Sequence, residues 1–241
     1  MFQTRGRHEE AIVTHSGLQT PMPSAAATPW VPQIGAVIPD FQAESSQGPV
    51  SFHDWTQGSW VLLFSHYSAF SPVCTTEIAL LAACHPEFRR RGVKLVGVSS
   101  TSAAEQRRWQ ADIETIYDAE VDYPIIADTA RVISDMFGMV HRQQSADCAI
   151  RKSIIVDPDR RIRVILEYPV VVGRSIDEIL RVIDALQMAD AYNVGTPVDW
   201  QPGDNVLILP EAFGEAKFDP GPDLHETRPY LKSALPPSRK G

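Results

Sequence analysis

The residues with the clearest chemical potential are the three cysteines, Cys74, Cys84 and Cys148. Cys74 comes shortly after a short apolar run, 59–65, and opens a stretch with helical spacing, which predicts that it lies in the first turn of a helix. Free backbone N–H groups and the positive end of the helix dipole stabilise an anionic sulfur there. Cys74 is therefore a candidate nucleophile, although a cysteine at a helix start also occurs simply as a small buried hydrophobic residue.

The composition is that of an ordinary water-soluble globular chain, with 241 residues, 44% hydrophobic and 22% charged. A net charge of −8 without a basic stripe argues against a nucleic-acid or anionic-membrane partner. No apolar run reaches the ~18–20 residues that span a bilayer, and the first twenty residues lack the apolar stretch of a signal peptide. We therefore expect a cytoplasmic protein. The cysteine spacing predicts neither a disulfide framework nor a metal site.

The elements that must position Cys74 follow from the hydrophobic pattern. Continuous apolar runs predict buried strands, and apolar residues three or four apart predict helices. The predicted strands are 59–65, 93–99, 125–127 and a hairpin of 153–156 with 161–167. The predicted helices are 75–91, 102–117, 129–137 and 175–188. This order predicts an α/β fold with a mixed β-sheet flanked by helices, and a thioredoxin-like fold fits it.

The chain divides into three predicted parts. Residues 1–30 are rich in Pro and Ala without periodicity, which predicts a disordered arm. Residues 31–190 carry the strand and helix pattern of the main domain. Residues 191–241 are turn-rich, with a short strand at 205–209 and a Pro- and charge-rich end from residue 220, which predicts a small C-terminal module with a flexible tail.

The segment around Cys74 resembles the peroxiredoxin signature P-x-x-x-T-x-x-C, which Thr-Thr-Glu usually follows. Residues 72–77 here are Pro-Val-Cys-Thr-Thr-Glu. Ser71 stands where the family has Thr and keeps the hydroxyl group. Tyr67 stands where the family has Pro, so we expect it to reshape the mouth of the pocket.

Further matches resemble the one-cysteine, peroxiredoxin-6-like subgroup. Residues 60–66 resemble its strand W-x-x-L-F-S-H, and residues 168–174 resemble its Y-P-x-x-x-G-R motif. Segments 177–183 and 196–200 also match that subgroup. The resemblance covers roughly residues 31–232 and implies a thioredoxin-like peroxidase domain with a C-terminal dimerisation module.

The resemblance implies roles for six residues: Cys74, Ser71, Glu77, Arg151, Arg174 and His66. Cys74 would be the peroxidatic cysteine, and Arg151 matches the catalytic arginine of the family. Ser71 and Arg174 would donate hydrogen bonds to the leaving oxygen, while Glu77 would orient both arginines. His66 matches a histidine that the subgroup keeps beside the active site.

The implied function is that of an antioxidant thiol peroxidase. The thiolate attacks hydrogen peroxide or an organic hydroperoxide, which leaves water or an alcohol and a sulfenic acid on Cys74. No metal or organic cofactor is needed. The resemblance also implies a homodimer, and dimers of this kind often build decameric rings.

The cysteine positions limit how the sulfenic acid is reduced. No cysteine follows Cys148, which excludes the C-terminal resolving cysteine of typical two-cysteine members. Cys84 lies about 15 Å from Cys74 along one predicted helix, whereas a disulfide needs a Cα separation of ~5.5 Å. Cys148 stays open as a resolving residue, because sequence does not fix the sulfur–sulfur geometry. We expect an external thiol reductant.

Two other functions fit parts of the pattern. A redox sensor or chaperone-like assembly on the same fold would use Cys74 oxidation as its signal, with low turnover. The phospholipase activity of some relatives would use Ser59, His53 and Asp159. The glycines of the Gly-x-Ser-x-Gly elbow are, however, missing around Ser59.

Overall fold

The computed structural model describes residues 30–145 and 147–237. The predicted arm, 1–30, lies outside the described residues except for Trp30. From Val31 onward, the described residues form one compact unit. None of the helices in the described ranges is both long enough and apolar enough to cross a membrane.

The described residues form ten strands and six α-helices. The strands are β1 (Gln42–Ser45), β2 (Gly48–Ser51), β3 (Trp60–Ser65), β4 (Val93–Ser99), β5 (Ile125–Ala127), β6 (Arg151–Val156), β7 (Ile162–Tyr168), β8 (Val206–Ile208), β9 (His225–Arg228) and β10 (Leu231–Ala234). The helices are α1 (Phe52–Thr56), α2 (Pro72–Ala83), α3 (His85–Arg90), α4 (Ala103–Tyr117), α5 (Val132–Met136) and α6 (Ile176–Tyr192).

Seven of these strands form one mixed sheet, in the order β2-β1-β5-β4-β3-β6-β7. β3, β4 and β5 run parallel, whereas β6 and β7 are antiparallel to their neighbours. β3 and β6 are buried along their whole length, which explains their continuous apolar runs. The arrangement confirms the predicted α/β, thioredoxin-like fold.

Apolar side chains pack on both faces of this sheet. Helices α2, α4 and α6 cover one face, and Cys74 belongs to that core together with Trp109. Helices α1 and α5 cover the other face, where Phe52 and Phe137 are buried. A smaller cluster around Trp200 packs the end of α6 against the C-terminal sheet β8-β10-β9. Cys74 therefore lies under the larger of the helical layers rather than on an exposed loop.

The predicted helix 75–91 is wrong, because two helices occupy this segment. α2 ends at Ala83, Cys84 caps it, and α3 starts at His85 with Pro86 in its first turn. Proline lacks the N–H that would continue α2, and its ring clashes with the preceding turn. Pro86 was therefore the signal in the sequence for this break.

Two hairpins are absent from the sequence prediction. Strands β1 and β2 turn through Gly48, whose φ of +100° suits glycine. Strands β9 and β10 form a hairpin within the segment from residue 220 that was predicted as a flexible tail. The other predicted strands and helices are present with ends shifted by a few residues, and α5 is shorter than predicted.

Candidate active site

Helix α2 begins at Pro72, three residues before the predicted start at residue 75. Ser71 is the N-cap, and its Oγ accepts a hydrogen bond from the backbone N–H of Cys74 at 3.4 Å. Pro72 occupies the first turn, where its missing N–H leaves no hydrogen bond broken. Cys74 therefore lies in the first turn, and it is 0% exposed.

The guanidinium group of Arg151, at the start of β6, touches the sulfur. Its Nη1 donates to Cys74 Sγ at 3.2 Å and to Glu77 Oε2 at 2.7 Å. Its Nε and Nη2 both donate to the carbonyl oxygen of Val170, at 3.0 and 2.6 Å. The second hydrogen on Nη2 has no acceptor among the described residues, so it is available to a substrate oxygen.

Glu77 lies one turn after Cys74 on α2 and accepts hydrogen bonds from both buried arginines. Its Oε2 binds Nη1 of Arg151 at 2.7 Å and Nη1 of Arg174 at 2.8 Å. Its Oε1 accepts from the backbone N–H of Arg174, also at 2.8 Å. An isolated buried charge is costly, so the carboxylate and the guanidinium groups stabilise one another.

Arg174 is fixed almost entirely by protein acceptors. Besides Glu77, it donates from Nε to Ser153 Oγ at 2.9 Å, and from Nη2 to the carbonyl oxygens of Lys152, at 3.2 Å, and Ser65. Burial lowers the pKa of Arg174, and the negative charge of Glu77 opposes this shift. Four of its five side-chain N–H groups are thus occupied, which leaves one for any substrate.

His66 follows β3 and is completely buried. Its ring centroid lies 5.3 Å from that of Trp109, and neither ring nitrogen has a hydrogen-bond partner within the described ranges. Burial lowers the pKa of His66 to about 3, and the positive charges of Arg174 and Arg151 act in the same direction. His66 is therefore neutral near pH 7 and adds no charge to the site.

The charge of this cluster depends on Cys74. Two guanidinium cations surround one carboxylate, and His66 is neutral, so the buried group carries one net positive charge while the thiol keeps its proton. Negative charge on the sulfur would balance this excess, and Arg151 Nη1, at 3.2 Å from Sγ, is the donor that would stabilise it.

Several supporting contacts were not anticipated from the sequence. Ser65 and Ser153 hold Arg174, and the carbonyl of Val170 holds Arg151. Both serines border apolar runs, Ser65 after Phe64 and Ser153 before Ile154, and both are completely buried. A polar residue at the end of a buried run is a signal that can mark such supports.

No hydrogen bond within the described ranges joins either of the other two cysteines to this cluster. All three cysteines are unpaired, and Cys84 is half-buried at the end of α2. Burial raises the pKa of the Cys84 thiol, which lowers its reactivity. Cys148 is half-buried in the segment before β6. No group of three side chains suited to a metal occurs in the part of the chain that the structure describes.

The alternative Ser–His–Asp set is not assembled. His53 Nε2 hydrogen-bonds to the carbonyl oxygen of Ile38 at 2.9 Å. No hydrogen bond among the described residues joins His53 to Ser59 or Asp159. The geometry gives no support to a hydrolase at this position.

The fold and the site together define a thiol-dependent oxidoreductase with a thioredoxin-like fold. Residues 34–165 match the AhpC/TSA family, and residues 185–216 match the C-terminal domain of 1-Cys peroxiredoxin. The chain is 38% identical over 183 residues to the 1-Cys peroxiredoxin of Dictyostelium discoideum, covering 76% of each chain. It is 39% identical over 208 residues to a mitochondrial peroxiredoxin of Saccharomyces cerevisiae, covering 83% of this chain and 79% of that one.

Solved structures agree with these matches. A yeast mitochondrial 1-Cys peroxiredoxin, whose thiol is resolved via glutathione and thioredoxin systems, has a TM-score of 0.76 at 36% identity, covering 85% of this chain and 99% of its own. Peroxiredoxin 6 of Arenicola marina, as a cysteine-to-serine variant, has a TM-score of 0.77 at 34% identity, covering 86% of this chain and 99% of its own.

The chain belongs to the AhpC/TSA family, in its 1-Cys peroxiredoxin subgroup. It is a thiol peroxidase, as the resemblance predicts.

Replacing Glu77 with Gln removes the negative charge between two buried guanidinium groups. We expect the free energy of unfolding to fall by ~3–5 kcal/mol, because breaking a buried ion pair leaves a charge uncompensated. Urea denaturation followed by circular dichroism measures the loss. Glu178→Gln is the control, since its partly exposed pair with Arg181 is worth at most ~1 kcal/mol. Equal losses in the two variants would contradict the importance of the buried pair.

His66 makes stability depend on pH in a defined window. The unfolded chain protonates this residue below pH 6.5 and the folded protein only near 3, so the unfolded state binds the extra proton in between. Stability should therefore fall as the pH is lowered through this window, by ~1.4 kcal/mol per pH unit from this group. In urea titrations from pH 6.5 to 4, the free energy of unfolding of His66→Asn should depend less steeply on pH than that of wild type. His225→Asn, which changes an exposed histidine, should keep the wild-type dependence. Parallel curves for wild type and His66→Asn would refute this.

Proposed function

We propose that Cys74 is the peroxidatic nucleophile of an antioxidant enzyme that reduces hydrogen peroxide and organic hydroperoxides. The observation that carries this proposal is the 3.2 Å contact between Arg151 Nη1 and Cys74 Sγ, inside a buried cluster of two guanidinium groups and one carboxylate. A thiolate is the attacking form, and its negative charge would balance the excess positive charge of this cluster. The thiol is also shielded from water, which strengthens every electrostatic contact around it.

The proposed reaction forms one S–O bond and breaks one O–O bond. The sulfur attacks the terminal oxygen of the hydroperoxide, which stays on Cys74 with its hydrogen as a sulfenic acid. The other oxygen leaves with the electron pair as hydroxide or alkoxide and takes up a proton to become water or an alcohol. Negative charge therefore moves from sulfur to the leaving oxygen, where fixed donors stabilise it most effectively.

We propose that two groups meet the peroxide. One is the Nη2 hydrogen of Arg151 that no described residue accepts, on the guanidinium group that contacts the sulfur. The other is the hydroxyl of Ser71, whose Oγ accepts from the backbone N–H of Cys74. We assign Arg174 a different role from the donor that the sequence predicts. Because four of its N–H groups are bound to protein, Arg174 acts as a positioning residue that orients Glu77 and, through it, Arg151.

An external thiol completes the proposed cycle. It condenses with the sulfenic acid to give a mixed disulfide and water, and a second thiol then releases reduced Cys74. The yeast relative, whose thiol is resolved via glutathione and thioredoxin systems, supports a reductant of this kind. Such a cycle requires a reducing compartment, and we propose the cytoplasm.

We also propose that the protein is a homodimer formed through its C-terminal module. The match of residues 185–216 to the 1-Cys peroxiredoxin C-terminal domain supports this. Val198, Phe213 and Tyr230 are exposed apolar side chains on this module, as expected of an interaction surface. Decameric rings of such dimers are the further assembly that the family resemblance implies.

A redox sensor on the same fold is the second candidate. It is favoured by Tyr67, which departs from the family pattern and packs against the core that contains Cys74. A sensor oxidises once and turns over poorly, whereas an enzyme cycles while thiol is present.

Cys74→Ser should abolish peroxide consumption in the presence of excess dithiothreitol, because it removes the sulfur that contacts Arg151. Circular dichroism should show an unchanged fold, and Cys84→Ser should keep wild-type turnover. Intact-mass spectrometry after one equivalent of hydrogen peroxide should show one added oxygen in the wild type and none in Cys74→Ser. Near-wild-type turnover of Cys74→Ser would contradict the proposal. Oxidation of wild type without turnover would favour the sensor.

A further inference from the structure

Helix α4 carries a buried tryptophan that the proposed mechanism leaves without a role. Trp109 is 1% exposed and belongs to the same core as Cys74. Its ring centroid lies 5.3 Å from that of His66, which packs the indole against the end of β3. Its Nε1 donates to Thr75 Oγ1 at 3.1 Å. A side chain of α4 is therefore hydrogen-bonded to the residue that follows Cys74.

This contact is the first step of a directed chain of hydrogen bonds. An indole N–H is a donor only, so Thr75 Oγ1 accepts from Trp109 and its own hydroxyl proton points elsewhere. It donates to the carbonyl oxygen of Ser71 at 2.8 Å, and the backbone N–H of Thr75 reaches the same oxygen at 2.9 Å. Hydrogen bonds in such a chain strengthen one another. The chain ends on Ser71, whose hydroxyl is proposed to meet the peroxide.

The residue before this N-cap has a backbone conformation that needs support. Phe70 has a φ of 58°, in the left-handed region that a bulky residue adopts only with strain, and its side chain is exposed. Before it, the backbone N–H of Ala69 donates to Thr101 Oγ1 at 3.1 Å. After it, the Ser71 carbonyl is held by the chain from Trp109. Such strain persists only where the surroundings fix the backbone on both sides, and these two tethers do so.

We propose that Trp109 is a positioning residue for the peroxidase reaction and that it acts through Thr75. The indole N–H fixes the first turn of α2, so that the Ser71 hydroxyl and the Cys74 sulfur meet the peroxide together. Without this hydrogen bond the loop relaxes at Phe70, and the first turn shifts relative to Arg151. This inference rests on the proposed function, because it concerns the geometry of the same reaction.

The test measures the second-order rate constant of each reduced variant with hydrogen peroxide by stopped-flow mixing. Trp109→Phe keeps an aromatic ring beside His66 and removes the N–H, and Thr75→Val removes the hydroxyl from a side chain of similar shape. Each should lower the rate constant about 10- to 100-fold, because misplacing a reacting group by ~1 Å costs up to ~100-fold. The double variant should be no slower than Thr75→Val, because Trp109 acts through that hydroxyl. Thr75→Ser, which keeps the hydroxyl, should react within twofold of wild type.

Two matched controls separate this role from a general loss of packing. Trp200→Phe removes another buried indole N–H, which donates to the carbonyl oxygen of Asp204 at 3.2 Å in the C-terminal module. Thr56→Val removes a buried hydroxyl in α1 that donates to the carbonyl oxygen four residues earlier, at 2.7 Å, as Thr75 does in α2. Both variants should keep the wild-type rate constant.

Alkylation of Cys74 by iodoacetamide, followed by peptide mass spectrometry, distinguishes positioning from general damage. This reaction needs no donor to a leaving oxygen, and a loosened first turn exposes the buried sulfur. The alkylation rate of Trp109→Phe and Thr75→Val should therefore equal or exceed that of wild type while the peroxide rate falls. A parallel fall of both rates would overturn the inference. So would a peroxide rate within twofold of wild type in either variant, or a Thr75→Ser variant as slow as Thr75→Val.

The outcomes also separate this inference from the proposed function. Thermal unfolding checks that the variants are folded, and if Trp109→Phe is not, Thr75→Val decides the question because it leaves the indole in place. If wild type failed to consume hydrogen peroxide, the proposed function itself would be wrong. An active wild type with equally active variants would overturn only the role of Trp109.

Discussion

The buried ion pairs of the Glu77 carboxylate with Arg151 and Arg174 are the interactions on which the rest of the site depends. The carboxylate lies on α2, and its two guanidinium partners come from β6 and from the residue two before α6. One buried anion thus ties together three elements that are far apart in the sequence. Because any shift of α2 would leave buried charges uncompensated, the first turn of the helix is held at a fixed distance from Arg151.

The electrostatic surroundings of Cys74 follow from the charges of these three side chains. Two cations and one anion leave a positive excess, and the neutral His66 does nothing to change it. In the proposed reaction, the ion pairs that fix the structure also hold Arg151 against the sulfur of Cys74. The proposed donors to the leaving oxygen would then be oriented before the peroxide arrives, which is how a rigid polar site lowers a reaction barrier.

The parts of the fold that the sequence predicts are those that depend on neighbouring residues. Continuous apolar runs mark β3, β4 and β6, because the burial of a whole strand is a local property of the sequence. The break at Pro86 has a local cause too, and it was missed because the apolar spacing continued across it. The hairpins β1–β2 and β9–β10 are short and poor in buried apolar residues, so no alternating pattern marked them.

The assembly of the site, in contrast, depends on pairing across 74 and 97 residues. Sequence periodicity carries no information on such distances, and the family resemblance alone brought Arg151 and Arg174 together with Glu77. It did not show that Arg174 is bonded almost entirely to protein. This depends on where the loop before α6 folds back, which only the tertiary structure fixes.

The most direct measurement is the rate of a single turnover in Arg151→Lys. Lysine keeps the positive charge, but it lacks the planar fork that binds sulfur, carboxylate and carbonyl at once. Stopped-flow mixing of the reduced protein with hydrogen peroxide should show a second-order rate constant about 100- to 1000-fold below that of wild type. Arg163→Lys, which changes a pair with Asp190 outside the site, should react like wild type. A rate for Arg151→Lys within twofold of wild type would contradict the claim that this contact activates Cys74.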